Sequence, residues 1–221
     1  IPAMTATIGA WAGPAQPGTA YVLLHLSMGD SGDGHVGGWG FARGGMGGLA
    51  AACHRAAEAA GVEVVTSAPV ARIDVAGGAV RGVTLADGRE IRTPLVVSTV
   101  HPKRAFLEMV DRDELPDDFV AAIERFKCRG GGVKINLALG ELPRFAAAPS
   151  SRVEEHHTGS IELAVSPAYV QAAFDDAVAG RPAERPVADG TIPSTLDETL
   201  MPAGMHCLSL FTQWVPDEWV A

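Results

Sequence analysis

Charge is scarce in this sequence, and basic charge is scarcest. Charged residues make up 19% of the 221 residues, where about 25% is usual for a soluble domain. The 17 Lys and Arg are outnumbered by 26 Asp and Glu, for a formal net charge of -9. Neutralising phosphate needs a basic face, so this balance argues against nucleic acid as a partner. The same sign disfavours an anionic membrane surface. No apolar run reaches the ~18 residues of a transmembrane helix. Cysteine is limited to Cys53, Cys128 and Cys207, odd in number and far apart. That pattern suits neither a disulfide framework nor a zinc site and fits a reducing compartment, the cytoplasm. A secretory signal, a Walker loop and a nucleophile elbow are also missing.

Apolar residues, by contrast, reach 47%. Such a chain can bury a substantial core, and part of its apolar surplus is expected to line a pocket or meet further chain. The sequence opens on Ile1 without an initiator Met and stops on Trp219-Val220-Ala221 after an apolar run. It reads as an internal piece of a larger protein.

The clearest helix is expected over residues 46–60. Met46, Leu49, Ala50, Cys53, Ala57 and Ala60 share one face. Gly61 supplies a left-handed C-cap, and the small alanines allow close docking on a sheet. Residues 62–65 read as a strand, and residues 21–26 as a short apolar run with His25 beside a strand end. A meander of three strands follows over 70–75, 80–85 and 89–92, with Gly77-Gly78 and Asp87-Gly88 as tight turns. Residues 95–98 are apolar on both faces and read as a central strand. Pro102 and Pro116 each suit the first turn of a helix. In the second of these, Phe119, Ile123 and Phe126 form a face, and Asp117 and Asp118 complement the positive helix end. Further strands are expected over 133–139, 160–165 and 205–215. Between them lies a helix capped by Ser166, with Pro167 at its first position. Its apolar stripe is Val170, Ala173, Phe174, Ala177 and Val178. Residues 180–190, with two prolines, read as a loop.

The chemistry-bearing candidates are few. Gly32, Gly34 and Gly37 spell G-x-G-x-x-G, but no strand precedes them and no helix opens there, so they read as loop. Gly44-Gly45-Met46-Gly47-Gly48 does open a helix. Its backbone N–H groups either receive a ligand closely or simply make a tight loop-to-helix joint. Lys134 sits in a strand, alternating with Val133 and Ile135. Either it points to solvent or it is held for chemistry, because burying its charge is costly. Adjacent pairs such as His156-His157 and His206-Cys207 point to opposite faces if they lie on strands. They do not chelate one metal in the i, i+4 manner, and no metal site is expected.

Taken together, these features resemble the flavin-dependent amine oxidase and phytoene desaturase superfamily. Residues 37–103 look like its middle. Within it the chain most resembles the branch of pyridine nucleotide-disulfide oxidoreductase domain-containing protein 2, often labelled phytoene dehydrogenase-like. The matching stretches include Gly18-Thr19-Ala20-Tyr21-Val22-Leu23-Leu24-His25, Trp39-Gly40-Phe41-Ala42-Arg43-Gly44-Gly45-Met46-Gly47, Val96-Val97-Ser98 with His101-Pro102-Lys103, and Lys134-Ile135-Asn136-Leu137-Ala138-Leu139. Ile192-Pro193-Ser194 and Ser209-Leu210-Phe211-Thr212-Gln213 extend the likeness.

The resemblance implies an α/β fold of mixed α+β character. Part of a Rossmann-like FAD domain with an antiparallel meander is joined to a sheet-and-helix substrate domain. Residues 1–43 would be substrate-domain and Gly-rich loop, 44–101 the partial FAD-binding domain, and 102–221 the substrate-binding domain. The implied cofactor is FAD, with Val70 on its adenine side through the backbone. Arg43, Gly44, Gly45 and Met46, with Ser98 and Thr99 at the end of the 95–98 segment, would approach the flavin. Lys134 falls where the amine oxidases carry a lysine that holds a water near flavin N5, and it is the implied catalytic residue. The implied activity is that of a dehydrogenase or oxidase moving hydride from a small, apolar organic molecule to the flavin. The family's N-terminal phosphate fingerprint is absent here, which implies that these residues alone bind FAD weakly or not at all and are inactive. The alternative is a non-catalytic ligand-binding or protein-interaction module that keeps the fold.

Overall fold

The structure, a computed structural model, describes residues 2–29, 32, 34, 40–127 and 131–215. Cys128, Gly37, Trp39 and the final Trp219-Val220-Ala221 lie outside the described residues. The helices are α1 (Pro2–Thr5), α2 (Thr19–Leu26), α3 (Gly45–Ala59), α4 (Asp117–Glu124), α5 (Glu155–Thr158) and α6 (Pro167–Val178). The strands are β1 (Val70–Ala76), β2 (Ala79–Leu85), β3 (Glu90–Arg92), β4 (Gly131–Leu139), β5 (Ile161–Leu163), β6 (Val187–Thr191) and β7 (His206–Val215). Both sheets are antiparallel, and mixed with the helices they make an α/β fold. Two compact units divide the chain. The smaller is Ala56–Lys127, and the larger combines Ile1–Arg55 with Cys128–Ala221. The boundary falls inside α3.

The smaller unit is built on the expected meander, in the order β1-β2-β3. Gly77 and Gly78 both take positive φ (60° and 73°), as a two-residue hairpin with right-handed strand twist requires. A Cβ on Gly82 would lie 2.1 Å from the carbonyl oxygen of Ile91, so only glycine lets β3 approach there. One face of the meander packs Ile73 with Met109 and Val110, supported by Val70, Val75, Val83, Phe106 and Leu115. The Ile73 N–H donates to the Met109 carbonyl at 2.7 Å, which ties the strand to the helical segment beside it. On the other face Asp74 accepts from Arg72 (2.7 Å) and Thr84 (2.8 Å).

Pro102 stands in a helical first turn, as expected, and the segment continues as a π-helix over Arg104–Glu108. Pro116 is the N-cap of α4, one place outside the helix. Asp117 and Asp118 fill its first turn. Its buried face centres on Val120, with Phe119 edge-on to Phe106 at 5.0 Å. Phe126 lies beyond the C-cap and is exposed, which removes it from the expected stripe.

The larger unit is a four-stranded sheet in the order β4-β7-β6-β5, with α6 packed on β7 and β6. The α6 N-cap is as expected: the Ser166 Oγ accepts from the Tyr169 N–H at 3.1 Å, with Pro167 in the first turn. Val170, Ala173, Phe174 and Ala177 are buried, whereas Val178 is exposed. They form one core with Met4, Val187 and Trp214. The Phe174 ring meets Trp214 edge-on at 5.2 Å and Trp11 at 6.0 Å. The buried Gln213 laces the first residues to β7. Its Oε1 accepts from the Gly9 N–H (2.8 Å), and its Nε2 donates to the Thr7 carbonyl (2.9 Å).

Four segments depart from expectation. Residues 21–26 are helical, within α2, so His25 stands on a helix and beside no strand. Ala20, Leu23 and Leu24 are good helix formers, and no described strand offers this run a ladder. Residues 62–65 and 95–98 have no regular structure, and Val62, Val64, Val65, Leu95 and Val97 are exposed. Strand preference is largely packing against cross-strand neighbours, and no described strand pairs with either segment. Finally, residues 187–191 form β6 within the expected loop. Asp189 and Gly190 are poor strand formers, but β5 and β7 supply ladders on both sides. A Cβ on Gly190 would crowd the Leu210 side chain (2.4 Å) and the Ser209 carbonyl oxygen (2.9 Å), so glycine suits the close approach of β7 there.

Core substitutions in α6 test this packing. Phe174→Ala should cost about 3–5 kcal/mol by the usual large-to-small penalty, read as a fall in the urea midpoint. Val178→Ala, on the exposed side of the same turn, should stay within about 0.5 kcal/mol. Equal effects would mean that the helix face is misassigned.

Candidate functional site

The Gly-rich turn before α3 carries a polar contact that spans the sequence of the larger unit. Gly44 and Gly45 both hold positive φ (80° and 66°), and the Gly45 N–H closes the turn on the Ala42 carbonyl at 2.8 Å. The first N–H groups of a helix have no partner inside it and carry partial positive charge. One group in this turn is answered by a distant carboxylate. The Gly44 N–H donates to Asp197 Oδ2 at 2.6 Å, across 153 residues of sequence. Asp197 is buried. Its other oxygen accepts from the Thr199 hydroxyl (2.6 Å) and the Thr199 N–H (3.0 Å). The Thr199 hydroxyl chiefly, then the Thr199 and Gly44 N–H groups, hold the carboxyl below the ordinary value of 3.8, with a smaller contribution from Arg43.

The segment bearing Asp197 is fastened at its root. The Thr195 Oγ1 donates to the carbonyls of Ile192 (2.7 Å) and His157 (3.2 Å). The Ser194 Oγ accepts from the Cys207 N–H at 3.1 Å and meets His206 Nδ1 at 3.3 Å. An open groove runs between this segment and the turn, lined by Phe41, Arg43, Ser194, Leu196, Asp197 and Glu198 among others.

Sequence reasoning missed Asp197. Asp197 is the N-cap of a 3-10 turn over Glu198–Leu200 and bonds Thr199 two residues on, so the Asp-x-Thr spacing could have revealed a turn. Nothing local points to Gly44.

Of the expected site residues, Arg43, Gly44, Gly45 and Met46 share this turn, with Met46 at 74% exposure. No residue of α3 is buried. Its expected stripe is present but uncovered among the described residues. Val70 and Ser98-Thr99 belong to the smaller unit. Val70 opens β1, opposite Leu85, and is half-buried. Ser98 accepts from the Val100 N–H at 3.4 Å, and Thr99 is exposed.

Lys134 lies on the edge strand β4, opposite Phe211 of β7, and is exposed. Alternation holds, but Val133, Ile135 and Leu137 are exposed too, so neither face of β4 is covered. By register, Lys134 shares a sheet face with Phe211, Asp189 and Glu162. Next to it on that face, Asn136 accepts from the Ser209 hydroxyl at 2.8 Å. A Cβ on Gly132 would lie 2.7 Å from the Phe211 ring, so glycine makes the room this ring occupies.

The histidine pair departs from its expected setting. His156 and His157 lie on α5, with ring centroids 4.0 Å apart. His157 is fully buried and uses both ring nitrogens: Nδ1 accepts from the Glu154 N–H (3.1 Å), and Nε2 meets the Pro143 carbonyl (3.0 Å). It is a structural clasp and has no lone pair left for a metal. Among the described residues no group of three or more His, Cys, Asp or Glu is arranged to hold a metal ion. Among them, also, no helix is long and apolar enough to cross a membrane.

Comparison with known proteins matches residues 11–170 to the flavin containing amine oxidoreductase family. Pyridine nucleotide-disulfide oxidoreductase domain-containing protein 2 of Mus musculus and of Rattus norvegicus are each 41% identical over 219 residues. Those alignments cover 97% of this chain and 38% of each relative. The crystal structure of the PF1083 protein from Pyrococcus furiosus matches in fold, with a TM-score of 0.55 over 87% of this chain and 38% of that one. At 17% identity, that likeness extends to the fold alone. The bare glycine turn, the meander and the two-unit architecture thus belong to a chain of the flavin-containing amine oxidoreductase family.

Proposed function

We propose that this chain forms the central part of an FAD-dependent dehydrogenase or oxidase acting on a small, apolar organic substrate. The family match across residues 11–170 carries the reading. In it, residues 44–101 contribute to the FAD domain, and residues 1–43 and 102–221 to the substrate domain. The cysteine pattern supports a cytoplasmic location for the enzyme.

The residues present fit part of the cofactor. Gly44 and Met46 are exposed, and a Cβ on Gly47 would meet nothing within 4 Å, so a flat ring can approach the backbone of this turn. Arg43, Gly44, Gly45 and Met46 would face the flavin, as would Ser98 and Thr99, and Val70 would hold the adenine side through its backbone. The fixed polar contacts to FAD come mostly from a Gly-rich phosphate turn and a ribose carboxylate. Among the described residues no such turn joins a strand to a helix. The 221 residues by themselves are therefore expected to hold FAD poorly and to be inactive, and the curated relatives are more than twice as long.

FAD, when bound, supplies the two-electron acceptor for a hydride leaving the substrate. The chain's own part is to orient and to manage protons. Lys134, on an exposed strand face beside Phe211 and Asn136, would hold a water or a proton at its Nζ. The apolar residues of β4 would contribute greasy walls that exclude bulk water.

The protein expressed from its whole reading frame should be yellow, with flavin absorbance that survives gel filtration. The isolated 221-residue stretch should be colourless after FAD is added and removed. A colourless whole protein would instead support the non-catalytic module. In the yellow protein, Lys134→Met should keep FAD bound and slow flavin reduction or reoxidation by about 10²-fold or more, the usual size of a proton-handling role. Stopped-flow traces that match the parent's would remove Lys134 from the mechanism.

A further inference from the structure

Asp197 stands outside every expected site residue, yet it is the group that touches the glycine turn. Its carboxylate answers the Gly44 N–H, and Thr199 orients it with two bonds. Leu200, three residues on, closes against the turn, since a Cβ on Gly45 would lie 3.1 Å from Leu200 Cδ2. The base of the segment is pinned by Thr195 to the Ile192 and His157 carbonyls and by Ser194 to β7. A rigid root therefore delivers one negative charge to the start of a 15-residue helix.

We propose that Asp197 is a positioning residue that sets both the hold of the glycine turn on FAD and the ease with which the bound flavin is reduced. This rests on the reading that the turn meets the flavin. Two physical effects follow from the one contact. The hydrogen bond fixes Gly44 at positive φ, a conformation that glycine itself does not prefer over others. The charge offsets the partial positive end of α3, which would otherwise favour a negative charge nearby. Reduction adds negative charge to a flavin, and charge near the ring tunes its electronics. Removing the carboxylate should therefore loosen FAD and, where the flavin stays bound, make it easier to reduce.

The test uses the whole yellow protein with three variants. Asp197→Asn keeps the size and removes the charge. Asp197→Ala removes both, and Thr199→Val removes one donor that orients the carboxylate. FAD affinity should fall roughly tenfold in Asp197→Ala, the size of losing a helix cap. The midpoint potential should rise in Asp197→Asn and, by less, in Thr199→Val, read by dye-coupled titration of the visible spectrum. A clasp that served stability alone would lower the melting temperature and leave the potential where it was. Folded, yellow Asp197→Asn and Thr199→Val proteins with the parent's potential and affinity overturn the inference and leave the flavin reading intact. A colourless parent overturns both. If Asp197→Ala does not fold, the other two variants still decide between these outcomes.

Discussion

The ten-residue strand β7 pairs along nearly its whole length with β4 and, over residues 209–213, with β6 as well, and the larger unit is assembled on that double ladder. The backbone groups of a strand must be paired or wetted. β7 satisfies this within the chain, and its side chains then become available for packing. Trp214 reaches α6 and the first residues, donating to the Ala10 carbonyl at 2.6 Å. Gln213 ties the same stretch through Gly9 and Thr7. Phe211 covers Gly132 on β4 beside Lys134. Lys134, the residue proposed to handle protons, thus sits on a strand whose partner is locked at one end by buried aromatic packing.

The same pairing constraint explains what the sequence did and did not reveal. Gly77-Gly78 names its hairpin because positive φ at two successive residues has few other uses, and the meander appears where it was read. Ser166-Pro167 and the stripe that follows name α6, because a cap and a helical period are both local properties. Residues 62–65 and 95–98 carry equally good strand composition and form no strand. Residues 187–191 carry poor composition and form a buried one. What decided these three cases is whether a neighbouring ladder exists, and that is written elsewhere in the chain.

The candidate site divides along the same line. The Gly44-Gly45 turn and the helix it opens were legible, because glycine and helical period are local signals. Asp197 was not, since its partner lies 153 residues away and its own surroundings announce only a 3-10 turn. The histidine pair shows the cost of assuming the element first. Treated as strand residues, His156 and His157 point apart. On α5 their rings lie 4.0 Å apart, tilted by 40°, and His157 is spent on the Pro143 carbonyl and the Glu154 N–H.

Several apolar surfaces of the described residues are left uncovered. α3 has an apolar stripe with no buried member, and the valines of 62–65 with Leu95 and Val97 are bare. Each fully buried aliphatic side chain is worth about 1.5–3 kcal/mol relative to exposure, so leaving several open forgoes stabilisation of the order of a domain's whole margin. A helix with small residues along one face and two β-branched segments without ladders are the complements of a parallel sheet covered by helices. In the proposed reading, further chain of the kind that the longer relatives possess supplies that sheet and the phosphate grip together. Covering these faces and loading FAD would then be a single folding event, with Asp197 already holding the turn that the cofactor is to meet.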